Sequence, residues 1–182
     1  MTSYRPICDT WILARPKGQR IYGAFPSGFY WRMRAMLPGF LCHLCSGSLG
    51  PEDDNNARFV DKTRPAWAEG LAELAESVDR PEVFMQADAT ATRFKNWVFD
   101  SVMIDPPYSP GDAMEYGHDY PKPRDLLREA WRIVRPGGRV GFLHYLFPRP
   151  PAKDCRLVAT ISVLMGYGNR VRLFTVFEKP AW

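Results

Sequence analysis

Short unbroken apolar runs alternate along this chain with stretches whose apolar residues recur every three or four positions. That alternation is expected of buried strands interleaved with amphipathic helices. "FLCHLC" (40–45), "RFV" (58–60), "EVFMQA" (82–87), "FDSVMI" (99–104) and "RVGFLHYLF" (139–147) read as strands. "FYWRMRAML" (29–37) sets Phe29, Met33, Met36 and Leu37 at helical spacing and stops at Pro38-Gly39. "PAWAEGLAELAESV" (65–78) opens on a proline suited to a first helical position and continues in strong helix formers. "PRDLLREAWRIV" (123–134) carries Leu126, Leu127, Ala130, Trp131 and Val134 on one stripe, and "RPGG" ends it. "RLVATISVLM" (156–165) and "RVRLFTVFE" (170–178), joined by "GYGN", read as a hairpin. The pattern predicts one α/β domain over residues 1–182, with a mainly parallel sheet closed by a C-terminal antiparallel hairpin.

Composition narrows the class. The chain has 182 residues, 46% hydrophobic and 14% aromatic, which excludes a disordered segment and allows a sizeable core. No apolar run is long enough to cross a bilayer, and "MTSYRPICDTWILARPKGQR" lacks the apolar core of a signal peptide. A soluble, cytoplasmic protein with no membrane partner is expected. The four cysteines, Cys8, Cys42, Cys45 and Cys155, suit a reduced compartment. "CHLC" invites a zinc reading, but strand alternation points Cys42 and Cys45 to opposite faces, so buried thiols and no metal site are expected. Trp11, Trp31 and Trp131 are expected in the core. The net charge of +4 is mild. Its distribution is uneven: acids gather in "PEDDNNA" and "AELAESVDRPE", bases near "YWRMR", "PKPRDLLREAWRIVRPGGR" and "NRVRL". Such a surface is compatible with a phosphate backbone and equally with a solvated face.

In parallel sheets the chemistry gathers where strands end, near the switch in strand order. Asp61, Asp88 and Asp105 each follow a predicted strand. The third opens "DPPY", in which Pro106 and Pro107 fix their own φ and donate no backbone hydrogen bond. Asp105, preceding a proline, is pushed into an extended conformation. A rigid strand exit then presents a carboxylate, unpaired carbonyls and the flat face of Tyr108. A planar group bearing an amine fits that set: two acceptors take its hydrogens while a ring stacks on its face.

"DPPY" resembles the catalytic motif of the S-adenosylmethionine-dependent amino methyltransferases that modify adenine N6 or cytosine N4 in DNA, small phage-type DNA methylases among them. "LCHLCSGSLG" (41–50) resembles their glycine loop, and "LLREAWRIVRPGGRVGFLHY" the helix, turn and fifth strand of Rossmann-like class I methyltransferases. The resemblance implies that Asp105, with the Pro106 carbonyl, holds the target amine in a loop made rigid by Pro107. Tyr108 would stack on a base flipped from its duplex. It implies cofactor contacts from Phe29 on the first helix and from Cys45, Ser46, Gly47 and Gly50 in the loop. Asp61 would hold the cofactor ribose, and Asp88, followed by Ala89, its adenine amine. No separate target-recognition domain is expected. The insert "SPGDAMEYGHDYPKP" (109–123) is the stretch long enough to face DNA through Tyr116, His118 and Tyr120, and is expected to be mobile without it. "PEDDNNARFV" does not read as a crossover helix. Two alternatives stay open: a methyltransferase acting on guanine N2 of RNA, and a nucleic-acid-binding module that keeps the fold without catalysis. Oligomeric state is not legible.

Overall fold

The computed structural model describes residues 4–15, 25–69, 83–165 and 170–181. The expected runs become strands β2 (Leu41–Leu44), β3 (Ala57–Asp61), β4 (Phe84–Gln86), β5 (Phe99–Ile104), β6 (Val134–His144), β7 (Arg156–Leu164) and β8 (Arg172–Glu178). A further strand, β1 (Ile7–Ile12), was not expected. The helices are α1 (Phe29–Met36), α2 (Pro110–Glu115) and α3 (Pro123–Ile133). The strands form one sheet in the order β1-β7-β8-β6-β5-β2-β3-β4. β8 runs antiparallel to β6 and β7, and the remaining pairs are parallel. The mainly parallel sheet and its C-terminal hairpin are as the pattern predicts.

Period-two alternation divides the sheet's side chains between two cores. On one face Leu41, Phe59, Met103, Leu143, Phe174 and Val176 pack with Phe29, Met33 and Leu37 of the α1 region. On the other, Cys42, Leu44, Val60, Val102, Ile104, Val140 and Phe142 pack with Leu126, Leu127, Ala130 and Ile133 of α3. Each fully buried Leu, Phe or Met contributes about 1.5–3 kcal/mol, so α1 and α3 are held mainly by these faces.

Several elements depart from expectation. "RPGG" does not simply end α3: β6 begins at Val134, paired with Phe99, and the register then jumps to Arg139 opposite Ser101. Gly137, at φ 75°, accommodates this bulge, and its N–H donates to Lys179 O at 3.0 Å. The insert after Tyr108 is not a bare loop, because Ser109 Oγ accepts from Asp112 N and caps α2. The helix expected over 65–78 lies largely outside the described residues, and its first part is a 3₁₀ turn, Ala66–Ala68. The "GYGN" turn at 166–169 also lies outside them. Trp11 is buried as expected, but Trp31 is 72% exposed, since Phe29 and Met33 take the inward side of α1.

The connection from β2 to β3 has no helix, as "PEDDNNARFV" suggested. A half-buried polar cluster fixes it. Asp54 Oδ2 accepts from Tyr30 Oη at 3.0 Å and pairs with Arg34 Nε at 2.6 Å. Tyr30 stacks on His43, which stacks in turn on Phe59. Burial, helped by the Arg34 charge, lowers the His43 pKa to about 3 and keeps it neutral. His43 therefore lies on the sheet face opposite Cys42. Cys45 leaves the strand at φ 60° and breaks the alternation, so both cysteines pack against the second core, contrary to expectation. Gly39, at φ 79°, is required on two counts: a Cβ there would collide with the Asp100 carboxylate, which accepts from Phe40 N at 2.7 Å.

Candidate active site

The chain passes outward through β2, β3 and β4 and returns to β5 on the other side of β2. The strand order therefore switches between β2 and β5. Loops leaving neighbouring strands diverge at such a point and open a crevice. The two loops there are the ones singled out in the sequence, "CSGSLG" and "DPPY", and Asp105 N donates to Leu44 O at 3.3 Å at their root. A cleft of about 1290 Å³ opens above them, with Cys45–Leu49, Asp61, Asp88, Ala89 and Asp105–Tyr108 in its wall.

At one end the groups are small or acidic. Asp61 Oδ2 accepts from Gly47 N and Oδ1 from Thr63 N, both at 2.9 Å, so the end of β3 holds the glycine loop in place. Each oxygen keeps a lone pair for a hydroxyl donor. Gly47 has φ 57°, and the space above it is open. Ser46 is 5% exposed, lines the cleft, and its Oγ is buried without a hydrogen-bond partner. Asp88 accepts from Thr90 N and Thr90 Oγ1 and pairs with Lys62 at 3.1 Å, which together hold its pKa low against the cost of burial. Cys45 adopts a left-handed backbone that costs about 1 kcal/mol in a non-glycine residue. Burial and the charges of Asp61, Asp105 and Asp88 push its thiol well above the ordinary range, so it stays protonated.

At the other end lies Asp105. Burial raises its pKa from 3.8 to about 7, although a Tyr108 hydrogen bond and the Arg172 charge pull the other way. Tyr108 Oη donates to Asp105 Oδ1 at 2.6 Å. The Tyr108 ring meets Tyr145 at 4.6 Å between centroids and His144 edge-on at 5.6 Å, with the Arg172 guanidinium 5.6 Å from its centroid. Burial and the Asp105 charge raise the Tyr108 pKa well above its ordinary value, so the phenol keeps its proton and remains the donor. A base stacked on Tyr108 would share the ring with Tyr145 and Arg172.

Tyr116 and His118 reach the cleft; His118 Nε2 lies 2.7 Å from Thr63 Oγ1, and outside the cleft Tyr120 Oη lies 3.2 Å from His144 Nε2. His144 Nδ1 accepts from Leu146 N, so Nε2 carries the hydrogen and donates to Tyr120. Three expected contacts do not line the cleft. Phe29 is fully buried against Trp11, Phe25 and Phe174, and its neighbour Tyr30 faces the cleft instead. Gly50 is buried and donates to Asp53 Oδ2. Tyr120 is committed to His144. The sequence reading missed Tyr30, Asp53, Asp112, Tyr145 and Arg172, all in the wall. The nearest signal was the basic run "NRVRL", which contains Arg172.

Solved structures share this fold. A 1,6-didemethyltoxoflavin-N1-methyltransferase of Burkholderia thailandensis, with 1,6-didemethyltoxoflavin and S-adenosylhomocysteine bound, matches at 14% identity and TM-score 0.56, over 83% of this chain and 76% of that one. The fold is that of the Rossmann-like class I methyltransferases. The N-methyltransferase NodS of Bradyrhizobium japonicum matches at 13% identity and TM-score 0.50, over 83% of this chain and 92% of that one. No family profile and no curated protein matches this methyltransferase-fold chain. Among its described residues no helix is long and apolar enough to cross a membrane.

Proposed function

We propose that the protein is an S-adenosylmethionine-dependent methyltransferase acting on an exocyclic base amine of DNA, with adenine N6 as the favoured target. The observation that carries this reading is a half-buried carboxylate, Asp105, at the switch point, in one continuous cleft with the glycine loop and the acids after β3 and β4. The cofactor end fits S-adenosylmethionine by its chemistry. Asp61 offers acceptors for ribose hydroxyls, Ser46 Oγ is a buried polar atom lacking a partner, and Cys45, Gly47 and Ala89 leave room beside them. Asp88 accepts from an adenine amine only by sharing its carboxylate with Lys62.

When bound, S-adenosylmethionine supplies a methyl group on positively charged sulfur. Asp105 Oδ2, opposite the oxygen engaged by Tyr108, accepts one N–H of the target amine, and the Pro106 carbonyl accepts the other. Held by both hydrogens, the nitrogen turns its lone pair toward the cofactor end. A methylated amine is acidic, and Asp105, with its pKa near neutrality, takes the released proton. Tyr108 and Arg172 keep enough ionised carboxylate present for this role. Pro107 holds the loop stiff so that Asp105 needs little reorganisation. Tyr116 and His118, across the cleft, close over the substrate.

The test is incubation of the protein with methyl-labelled S-adenosylmethionine and, separately, duplex DNA, single-stranded DNA, structured RNA and free nucleotides. Label on adenine N6 of DNA is the expected result. Label on guanine N2 of RNA would move the substrate class, and no transfer together with no cofactor binding would overturn the enzyme reading.

A further inference from the structure

Arg172 lines the cleft at its substrate end, with Arg170 exposed beside it, and the mechanism above uses this pair of cations only in part. Arg172 opens β8 and Arg170 stands two residues before it. Arg172 lines the cleft, with its guanidinium 5.6 Å from the Tyr108 ring centroid. Arg170 is exposed, with its guanidinium 5.4 Å from the Tyr145 ring. The two rings are themselves packed at 4.6 Å, so the guanidiniums sit on one aromatic bench. Arg34, Arg128, Arg132, Arg135, Arg139 and Arg156 each hold a carboxylate within ion-pair distance. Among the described residues neither Arg170 nor Arg172 does. The hydrogen bonds of Arg172 are weak ones, a long one to Tyr108 Oη and one to the thioether Met165 Sδ, both at 3.5 Å. Its donors are thus held close to Asp105 without being used up.

Asp112, Glu115 and Asp119 also line the cleft and repel an anion, whereas the guanidiniums of Arg172 and its neighbour Arg170 attract one. Guanidiniums present paired N–H donors that match two oxygens of a phosphate, and stacking on tyrosine holds the fork in position. Resting on the amine-methylating function proposed above, we infer that Arg170 and Arg172 form a seat for the phosphate adjoining the target base. The substrate is then a phosphorylated nucleotide, free or within a strand, and not a bare nucleoside or an uncharged heterocycle. The arginines fix where the sugar-phosphate lies, which sets how far the base reaches toward Asp105.

The test compares equilibrium binding of deoxyadenosine, its 5′- and 3′-monophosphates and a short single-stranded DNA to the full chain and to Arg170→Gln/Arg172→Gln. Charge-assisted hydrogen bonds to phosphate predict that a monophosphate binds roughly tenfold or more tighter than the nucleoside. The double variant should lose that preference, and Arg170→Lys/Arg172→Lys should keep part of it. If the double variant melts early, Arg170→Gln alone, at an exposed position, decides the matter. Tighter binding by the strand, with a salt dependence whose slope weakens in the variant by about 0.7 for each phosphate no longer neutralised, identifies the phosphate as backbone. Equal affinity of strand and monophosphate identifies a free nucleotide. Equal affinity of nucleoside and monophosphate overturns the seat, as does an undiminished preference in the variant. Methyl transfer, read separately, keeps the two readings apart. Equal transfer to deoxyadenosine and its monophosphates sinks the seat but not the enzyme. Arginine-dependent phosphate binding without transfer to any substrate sinks the enzyme but not the seat.

Discussion

Replacing Asp105 with asparagine separates catalysis from architecture, because shape is kept and charge removed. The amide oxygen of the substituted side chain can still accept from Tyr108 Oη, which donates to Asp105 Oδ1 at 2.6 Å in the native protein. What disappears is the cost of ionising a half-buried carboxyl whose pKa is raised from 3.8 to about 7. At its limit that displacement corresponds to about 4 kcal/mol, and in a cleft open to water about 1–2 kcal/mol is the realistic share. The sign follows from linkage. Between pH 3.8 and about 7 the folded protein binds a proton the unfolded chain has released, so Asp105 costs stability progressively as pH rises through that window. Asp105→Asn should therefore melt about 3–6 °C higher at pH 8 and at nearly the native temperature at pH 4. Methyl transfer should fall more than a hundredfold, since an acceptor that positions the nucleophile is worth about 3 kcal/mol in the transition state. The native protein's rate of methyl transfer should rise with pH through about 7 as the carboxylate forms. Thermal melts across pH and transfer assays with labelled cofactor read all three. A variant that keeps its transfer rate, or that melts lower at every pH, would show Asp105 to be structural and refute the reasoning.

Tyr108→Phe removes the hydrogen bond that lowers the Asp105 pKa, so the pH–rate profile should move to higher pH; an unmoved profile would exclude Tyr108 from that role. Ser46→Ala deletes a hydroxyl with no protein partner, so melting should barely change while cofactor affinity falls about fivefold, the worth of one hydrogen bond. Calorimetry with S-adenosylmethionine decides this, and an unchanged affinity would remove Ser46 from the site. Asp54→Ala leaves Tyr30 and Arg34 without their shared acceptor and should destabilise the protein by about 2–4 kcal/mol in denaturant melts; a loss below about 0.5 kcal/mol would show the β2–β3 connection to be held otherwise. Hydrogen exchange over residues 109–123 should slow when DNA is added, and exchange as slow as in β6 without DNA would argue against a substrate-gated insert.

The central strands were legible because parallel strands covered on both faces are mostly apolar, and β2 and β5 carry that signature in "LCHL" and the "VMI" that ends "FDSVMI". "DPPY" was legible for a local reason: two prolines and a pre-proline aspartate determine their own backbone wherever they stand. β1 was not, because an edge strand with most of its residues exposed needs no apolar pattern. "RPGG" looks like a turn in sequence and becomes a bulge only because β5 lies alongside to receive it. The cofactor end shows the same division. That α1 is a helix follows from its spacing, but Phe29 was assigned to the cleft and Tyr30 occupies it, since docking alone decides which side of a helix meets a core and which a cavity. Asp105 could be named from sequence, whereas its pKa near 7 could not, because burial and the Arg172 charge come from the assembled sheet. Arg172 lies 64 residues from Tyr108 along the chain. Local sequence dictates torsions and periodicity over a few residues, while contacts across such distances are made only when the strands assemble in their final order, and that order placed the charges around Asp105.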